Sequence, residues 1–402
     1  MDLRGLLAHT IEVGGSDLHL KVGEPPVVRV DGELQRVEGA PELTDYSMEQ
    51  ILNAITTNTP AKREHYLEHG DIDTAYTADG AGRFRVNGFR QRGQTSFAFR
   101  YVPKDVPSFD ALGLPEGVQR LAEERRGLVL VTGATGSGKT TSLAAMIDHM
   151  NRTRSEHIVT IEDPIEIMHD DKGCIVSQRE IGLDTSSFKE ALRRVLRQDP
   201  DIILVGELRD EESASAALQA GESGHLVLST MHTLDARETI GRMIELFPPD
   251  KQMLVRQILA ATLRGVISQR LLPRIGGGRV AAVEVMVNTS RVSDLIIDPE
   301  KTEELPDAIE AGEFHAMQTF AQHLVELVLA GQVEPEIAAG ASGSKHDFEI
   351  SLAHALRTRA AEEEAEEGAG PAAPKLLEHM QSDDEPEVEE DDPFGPNLRV
   401  AG

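Results

Sequence analysis

Tryptophan is absent from the 402 residues, and all aromatics together make up 4 %. There is one cysteine, Cys174, which excludes an internal disulfide and any cysteine-built zinc site and fits a reducing, cytosolic compartment. No run of about 18 apolar residues occurs, so no membrane-spanning helix is expected. The opening "MDLRGLLAHTIEVGGSDLHL" carries an acid at position 2 and His, Glu and Asp soon after, unlike a secretory leader. Positive charge is also scarce: 40 Lys and Arg face 69 Asp and Glu, a net charge of −29. Residues 361–402 hold 14 acids and two bases, Lys375 and Arg399, so −12 lies there and −17 is spread over the preceding 360 residues. A duplex-binding protein displays a basic surface; this balance argues against nucleic acid as the partner.

What is present is enough apolar residue, 40 %, for two or three packed domains. The first hundred residues read as mixed α and β. "VVRVDGEL" is a hairpin with an Asp-Gly turn at 31–32, "GRFRVNGFRQRG" and "TSFAFRYV" are two strands about a turn near Gly93, and 47–55 and 60–69 are helical. Residues 103–126 begin with three prolines and read as a linker running into a short helix. From 127 the texture changes. Apolar strands at 128–132, 157–161, 202–206 and 225–230 alternate with helices near 139–150, 186–197, 210–220 and 235–247, the pattern of a parallel α/β sheet. Beyond 288 the pattern is helical, and from about 360 it is rich in Ala, Glu, Asp and Pro, the composition of a disordered tail. The expected organisation is therefore a domain at 1–102, a linker at 103–126, a larger α/β domain with C-terminal helices at 127–358, and an acidic tail at 359–402.

The most specific motif is "GATGSGKT", which runs Gly133, Ala134, Thr135, Gly136, Ser137, Gly138, Lys139, Thr140 and is followed by Thr141. It lies between an apolar strand and a helix, as a phosphate-binding P-loop requires. Its glycines let backbone N–H groups face phosphate oxygens, and the helix N-terminus adds its dipole. Lys139 places a charge at the β- and γ-phosphates, and the Thr140 hydroxyl can ligate Mg²⁺. ATP and Mg²⁺ are the expected cofactors. "DPDIILVGELRD" is an apolar strand ending at Glu207, where P-loop proteins keep an acid for Mg²⁺ or its water. "TIEDPIE" puts Glu162, Asp163 and Glu166 at another strand end. Ligands of parallel sheets bind beyond the carboxyl ends of the strands, so these acids have a partner in the metal and the attacking water. Glu162 is read as the carboxylate that activates water, Glu207 as support for Mg²⁺ and the water, and Asp163 as a structural or Mg²⁺-shell acid on the opposite face, if strand alternation continues past Glu162. Glu166, beyond Pro164, reads as solvated. In "GHLVLSTMHT", His232 falls at the same sheet edge and is the candidate sensor of the γ-phosphate; His225 opens the strand. "HYLEH", His65 to His69, matches an inverted zinc-protease signature but lacks an evident third ligand, and reads as an exposed helix end.

The order of these four stretches resembles the secretion-ATPase superfamily of type II secretion and type IV pilus motors, as its Walker A, aspartate box, Walker B and histidine box. "GGSDLHLKVGEPPVVRVDGEL", "GRFRVNGFRQRG" and "MQTFAQHLVELVLAG" are similar to its pilus-retraction subgroup, and the likeness spans about residues 10–358. The resemblance implies a PAS-like N-terminal α+β domain, a RecA-like ATPase domain and a homo-hexameric ring. It implies a cytoplasmic location at the inner face of the cell membrane, reached only through partners: an inner-membrane pilus platform protein and a paralogous pilus ATPase. It also implies arginines from the N-terminal domain at the phosphates; the matching positions are Arg85 and Arg100, with Arg83 and Arg90 as lesser candidates. One stretch departs from the subgroup. Its "AIRNLIRE"-like helix corresponds here to "RVSDLIIDPEKTEELPDAIEAG", without Ala-Ile-Arg-Asn. Pilus retraction is the leading reading. Extension or type II secretion by a motor of the same superfamily, and a nucleic-acid translocase on a RecA-like core, are the alternatives.

Overall fold

The computed structural model describes residues 2–368, with side chains described as far as 359. Six strands form the first sheet: β1 (Gly15–Lys21), β2 (Val27–Val30), β3 (Glu33–Arg36), β4 (Asp71–Ala78), β5 (Gly82–Gln91) and β6 (Gln94–Val102). They pair antiparallel in the order β3-β2-β1-β6-β5-β4. The β2–β3 turn is Asp31-Gly32 and the β5–β6 turn Arg92-Gly93, all four residues with positive φ, which is what two-residue hairpins matched to strand twist demand. Alternation sorts the faces. Phe84, Val86, Phe97 and Phe99 point into a core closed by Leu7, Met48, Ile51, Ile55 and Tyr66 from the helices Leu3–Glu12, Asp45–Ile55 and Pro60–His69, while Arg85 and Asn87 lie exposed on the other face.

Seven strands form the second sheet: β7 (Gly127–Thr132), β8 (His157–Glu162), β9 (Ile175–Glu180), β10 (Ile202–Val205), β11 (Leu226–Met231), β12 (Leu263–Pro273) and β13 (Arg279–Val287), in the order β13-β12-β7-β11-β10-β8-β9. All neighbours are parallel except β12 and β13. The central strands are near-continuous apolar runs because both faces are covered. Leu128, Leu130, Val159, Ile161, Ile203 and Val227 enter one core, and Val129, Val131, Ile158, Ile202, Leu204 and Leu228 the other.

The four strands and four helices expected between 127 and 247 are present, with ends shifted by a few residues. The linker is shorter than expected. Residues 103–108 have no regular structure, but the helix Glu116–Ala122 buries Val118, Leu121 and Ala122 in the second sheet's core and so belongs to that domain. The described residues divide after Leu352 into two units. A helix runs over Lys345–Gly368, so residues 359–368, expected as part of the disordered tail, are helical. The remainder of that tail, 369–402, lies outside the described residues. No helix among them is long and apolar enough to cross a membrane.

Candidate nucleotide-binding and catalytic site

β7 ends at Thr132, and the chain turns through 133–138 into the helix Lys139–Thr153. Gly133, Gly136 and Gly138 have positive φ. A Cβ on Gly133 would also stand 2.4 Å from the Gln269 carbonyl oxygen of β12 and 2.6 Å from Ser137 Oγ, so only glycine passes between the loop and the neighbouring strand. Lys139 is buried, and its Nζ donates to the carbonyls of Gly133 (2.7 Å) and Ala134 (3.0 Å). Burial pulls its pKa down, against the opposing pull of the Glu207 and Glu166 carboxylates.

The loop opens on a cavity of about 560 Å³ at the carboxyl edge of the sheet. Thr135, Gly136, Gly138, Lys139, Thr140 and Thr141 line one side, Glu162, Asp163 and Glu166 another, and Glu207 and His232 a third. The acids of "TIEDPIE" thus meet the phosphate loop. The structure corrects the reading that put Asp163 on the opposite face. Strand pairing stops at Glu162, so alternation does not continue, and Asp163 borders the same cavity. Glu166 is exposed, yet borders the cavity too.

Glu162 accepts from Thr160 Oγ1 at 2.6 Å and from Gln178 Nε2 at 3.2 Å, both on Oε1. Burial raises its pKa, and those two hydrogen bonds oppose the rise. Such a carboxylate stands closer to neutral pH than a free one. Glu207 Oε2 pairs with Arg209 at 2.8 Å, and its Oε1 lies 3.4 Å from His232 Nε2. This pairing raises the Arg209 pKa. Thr230 Oγ1 donates to the Gly206 carbonyl (2.7 Å), fixing β11 against the turn that carries Glu207.

Three titratable side chains at the cavity were not singled out in the sequence: Arg209, Arg279 and His169. Arg209 stood in view beside Glu207. Arg279 starts β13, a strand that no periodicity announced. Burial lowers the His169 pKa to about 4, and its Nδ1 is buried without a partner. His225 sits at the amino end of β11, away from the cavity, with Nδ1 against Ser223 Oγ (3.0 Å).

Neither Arg85 nor Arg100 lines the cavity. Arg85 is exposed, and Arg100 Nε donates to the buried Asp17 carboxylate at 2.8 Å. Arg83 instead pairs with Glu180 of β9 at 2.6 Å, and Arg90 Nη2 donates to the Leu67 carbonyl. In "HYLEH" the two imidazoles stack on each other, centroids 4.2 Å apart. Among the described residues no three His, Cys, Asp or Glu side chains are placed to hold a metal by themselves.

A phosphate loop between a central parallel strand and a helix, facing acids from two neighbouring strand ends, defines a P-loop nucleotide-binding protein of the α/β class. Residues 3–277 match the family model described as "Type II/IV secretion system protein", and the chain belongs to that family. It is 45 % identical over 338 residues to the type IV pilus retraction ATPase PilT of Pseudomonas aeruginosa, an alignment covering 84 % of this chain and 97 % of that protein. To the type IV pilus ATPase PilU of the same organism it is 39 % identical over 353 residues, 88 % of this chain and 91 % of that one. A crystal structure of the pilus retraction motor PilT with bound ADP superimposes with a TM-score of 0.79 at 42 % identity, covering 87 % of this chain and 99 % of the other.

Proposed function

We propose that this protein is an ATP-hydrolysing motor that retracts type IV pili by drawing pilin back out of the filament. The observation that carries the reading is the meeting of Lys139, Glu162 and Glu207 around one cavity, in a chain that aligns with a retraction ATPase over nearly that protein's whole length. In this reading the six-stranded sheet and its helices are a PAS-like domain, the seven-stranded sheet is a RecA-like motor domain, and six copies close a ring.

The residues fit ATP with Mg²⁺. Ser137 Oγ is buried in the loop without a partner, as a phosphate-facing hydroxyl is, and Thr140, Asp163 and Glu207 supply oxygen donors on the cavity wall, the ligand type Mg²⁺ takes. Bound there, Mg²⁺ would neutralise charge developing on the β- and γ-phosphates. The protein's own part is positional. Lys139 and the loop N–H groups hold the phosphates, and Glu162 takes the proton of the attacking water. Glu207, tied to Arg209 and His232, orients metal and water, and His232 senses whether the γ-phosphate is present. Arg85 and Arg100 then act from a neighbouring subunit or after a domain movement. The platform protein of the pilus, at the inner face of the membrane, and a paralogous ATPase are the partners this role requires.

One observation bears on direction. In the stretch that departs from the retraction subgroup, the helix Ser290–Ile297 still forms and buries Val292, Leu295 and Ile296, whereas Arg291, Asp294 and Ile297 are exposed. Those exposed positions are the ones a partner could read. Deleting the gene tests the role: excess, immobile pili are expected if the motor retracts, and a bald cell would mean that it extends pili.

A further inference from the structure

The edge strand β9 lies beside β8 in parallel register, Thr160 opposite Gln178 and Glu162 opposite Glu180. Gln178 uses both ends of its amide. Nε2 donates to Glu162 Oε1 (3.2 Å) and to the Ile167 carbonyl (2.9 Å), and Oε1 accepts the His169 N–H (2.8 Å). The orientation is set by these partners, because a flipped amide would set its oxygen against two acceptors and its NH₂ against a donor. Glu162 therefore receives, on one oxygen, a hydroxyl from its own strand and an amide from the next. The amide in turn is anchored to the chain beyond the acid turn, at 167 and 169.

We propose that Gln178 is a positioning residue for hydrolysis: it fixes the rotamer of the Glu162 carboxylate by tying it to the loop 167–169. The inference rests on Glu162 being the general base. A carboxylate that is partly buried and aimed by neighbours holds one geometry, and misplacement of a base by about 1 Å is costly in rate. Nothing about Gln178 requires contact with nucleotide, and it does not line the cavity.

Two substitutions separate the ends of the amide. Gln178→Met keeps length and loses every hydrogen bond. Gln178→Glu keeps an acceptor for the His169 N–H but sets a second carboxylate against Glu162. The measurement is steady-state ATP turnover of the full chain, kcat and KM separately, with nucleotide affinity alongside. Gln178→Met is expected to lower kcat about tenfold while leaving KM and nucleotide affinity within about twofold. Gln178→Glu is expected to lower kcat at least as far, because its carboxylate pushes that of Glu162 out of position. In a Glu162→Gln background, adding Gln178→Met should cause no additional loss.

If Gln178→Glu turns over ATP like the wild type, the side chain merely anchors the loop and the proposal is overturned. An unchanged kcat in Gln178→Met, or a further loss when it is added to Glu162→Gln, overturns it while leaving the role of Glu162 intact. Normal turnover by Glu162→Gln overturns both.

Discussion

Arg83 Nη2 and Glu180 Oε2 stand 2.6 Å apart, with side-chain exposures of 12 % and 3 %, and the pair joins the first sheet to the edge strand of the second. The same Glu180 oxygen accepts the Ile165 N–H at 3.2 Å. The acid turn that carries Glu162 is thus held from β9, and β9 is held from the N-terminal sheet. A buried pair contributes modestly against an apolar replacement, but losing one partner strands the other. Arg83→Ala is expected to cost roughly 3–5 kcal/mol in denaturant unfolding, because the Glu180 carboxylate would be left buried without its partner. The double variant Arg83→Met with Glu180→Gln should recover much of that loss. If Arg83→Ala unfolds like the wild type, the contact between the sheets is not a stable one in solution.

Glu284 gives a pH-dependent stability. It is buried on β13, and its Oε1 accepts the Ala236 N–H at the start of the helix Ala236–Glu245 at 2.8 Å. Burial raises its pKa to about 7, with Asp235 adding to the rise. Below the unfolded value near 4.5 both states are protonated. Between there and 7 only the folded state keeps the proton, so stability falls as pH rises. Above 7 the penalty is complete, about 3 kcal/mol for a shift of this size. Glu284→Gln keeps the acceptor and removes the charge. It should flatten the stability profile between pH 5 and 8 and stabilise the fold at pH 8; an unchanged slope would show that Glu284 titrates normally.

Much of this was legible in the sequence, for physical reasons. The P-loop needs positive φ at fixed spacing, and only a run such as "GATGSGKT" supplies it. Buried parallel strands are apolar throughout, so β7, β8, β10 and β11 announced themselves. The missed strands lack those signals. The helix Gln252–Thr262 passes into β12 at Leu263 with no Gly or Pro between, and "IVSQRE" of β9 is polar in four of six positions. Those omissions hid Gln178, Glu180 and Arg279. The Asp163 face was misassigned because a strand rule was carried one residue past the last ladder pair.

Arg85 and Arg100 pair across β5 and β6 and do not line the cavity of their own chain. If they act at a neighbour's site, ATP turnover per subunit should climb with protein concentration as rings assemble. Arg85→Ala, at an exposed position, should then abolish most turnover without shifting Tm, and mixing it with Glu162→Gln should regain some activity through rings that combine intact halves. Full turnover by a dilute, demonstrably monomeric sample would sink the shared-site reading.

Lys139 and Glu162 should separate binding from chemistry. The Lys139 ammonium is buried in the loop, donating to two of its carbonyls, and a nucleotide phosphate offers it a far stronger partner. Lys139→Ala is therefore expected to weaken ATP and ADP binding themselves, seen directly by calorimetry or a fluorescent analogue. Glu162 is different: if it is the base proposed above, its contribution arises only when a proton leaves the attacking water. Glu162→Gln preserves the shape and can still accept from Thr160 and Gln178 through its amide oxygen, so nucleotide affinity and ring size should hold. Turnover should fall by about 10²–10⁴-fold, the usual worth of a general base. Glu166 provides the control. It borders the same cavity and lies four residues on, but it is exposed and lacks the two side-chain donors that aim Glu162. Normal hydrolysis by Glu162→Gln together with a dead Glu166→Gln would move the base to the far side of Pro164 and require the acid turn to rearrange before the reaction.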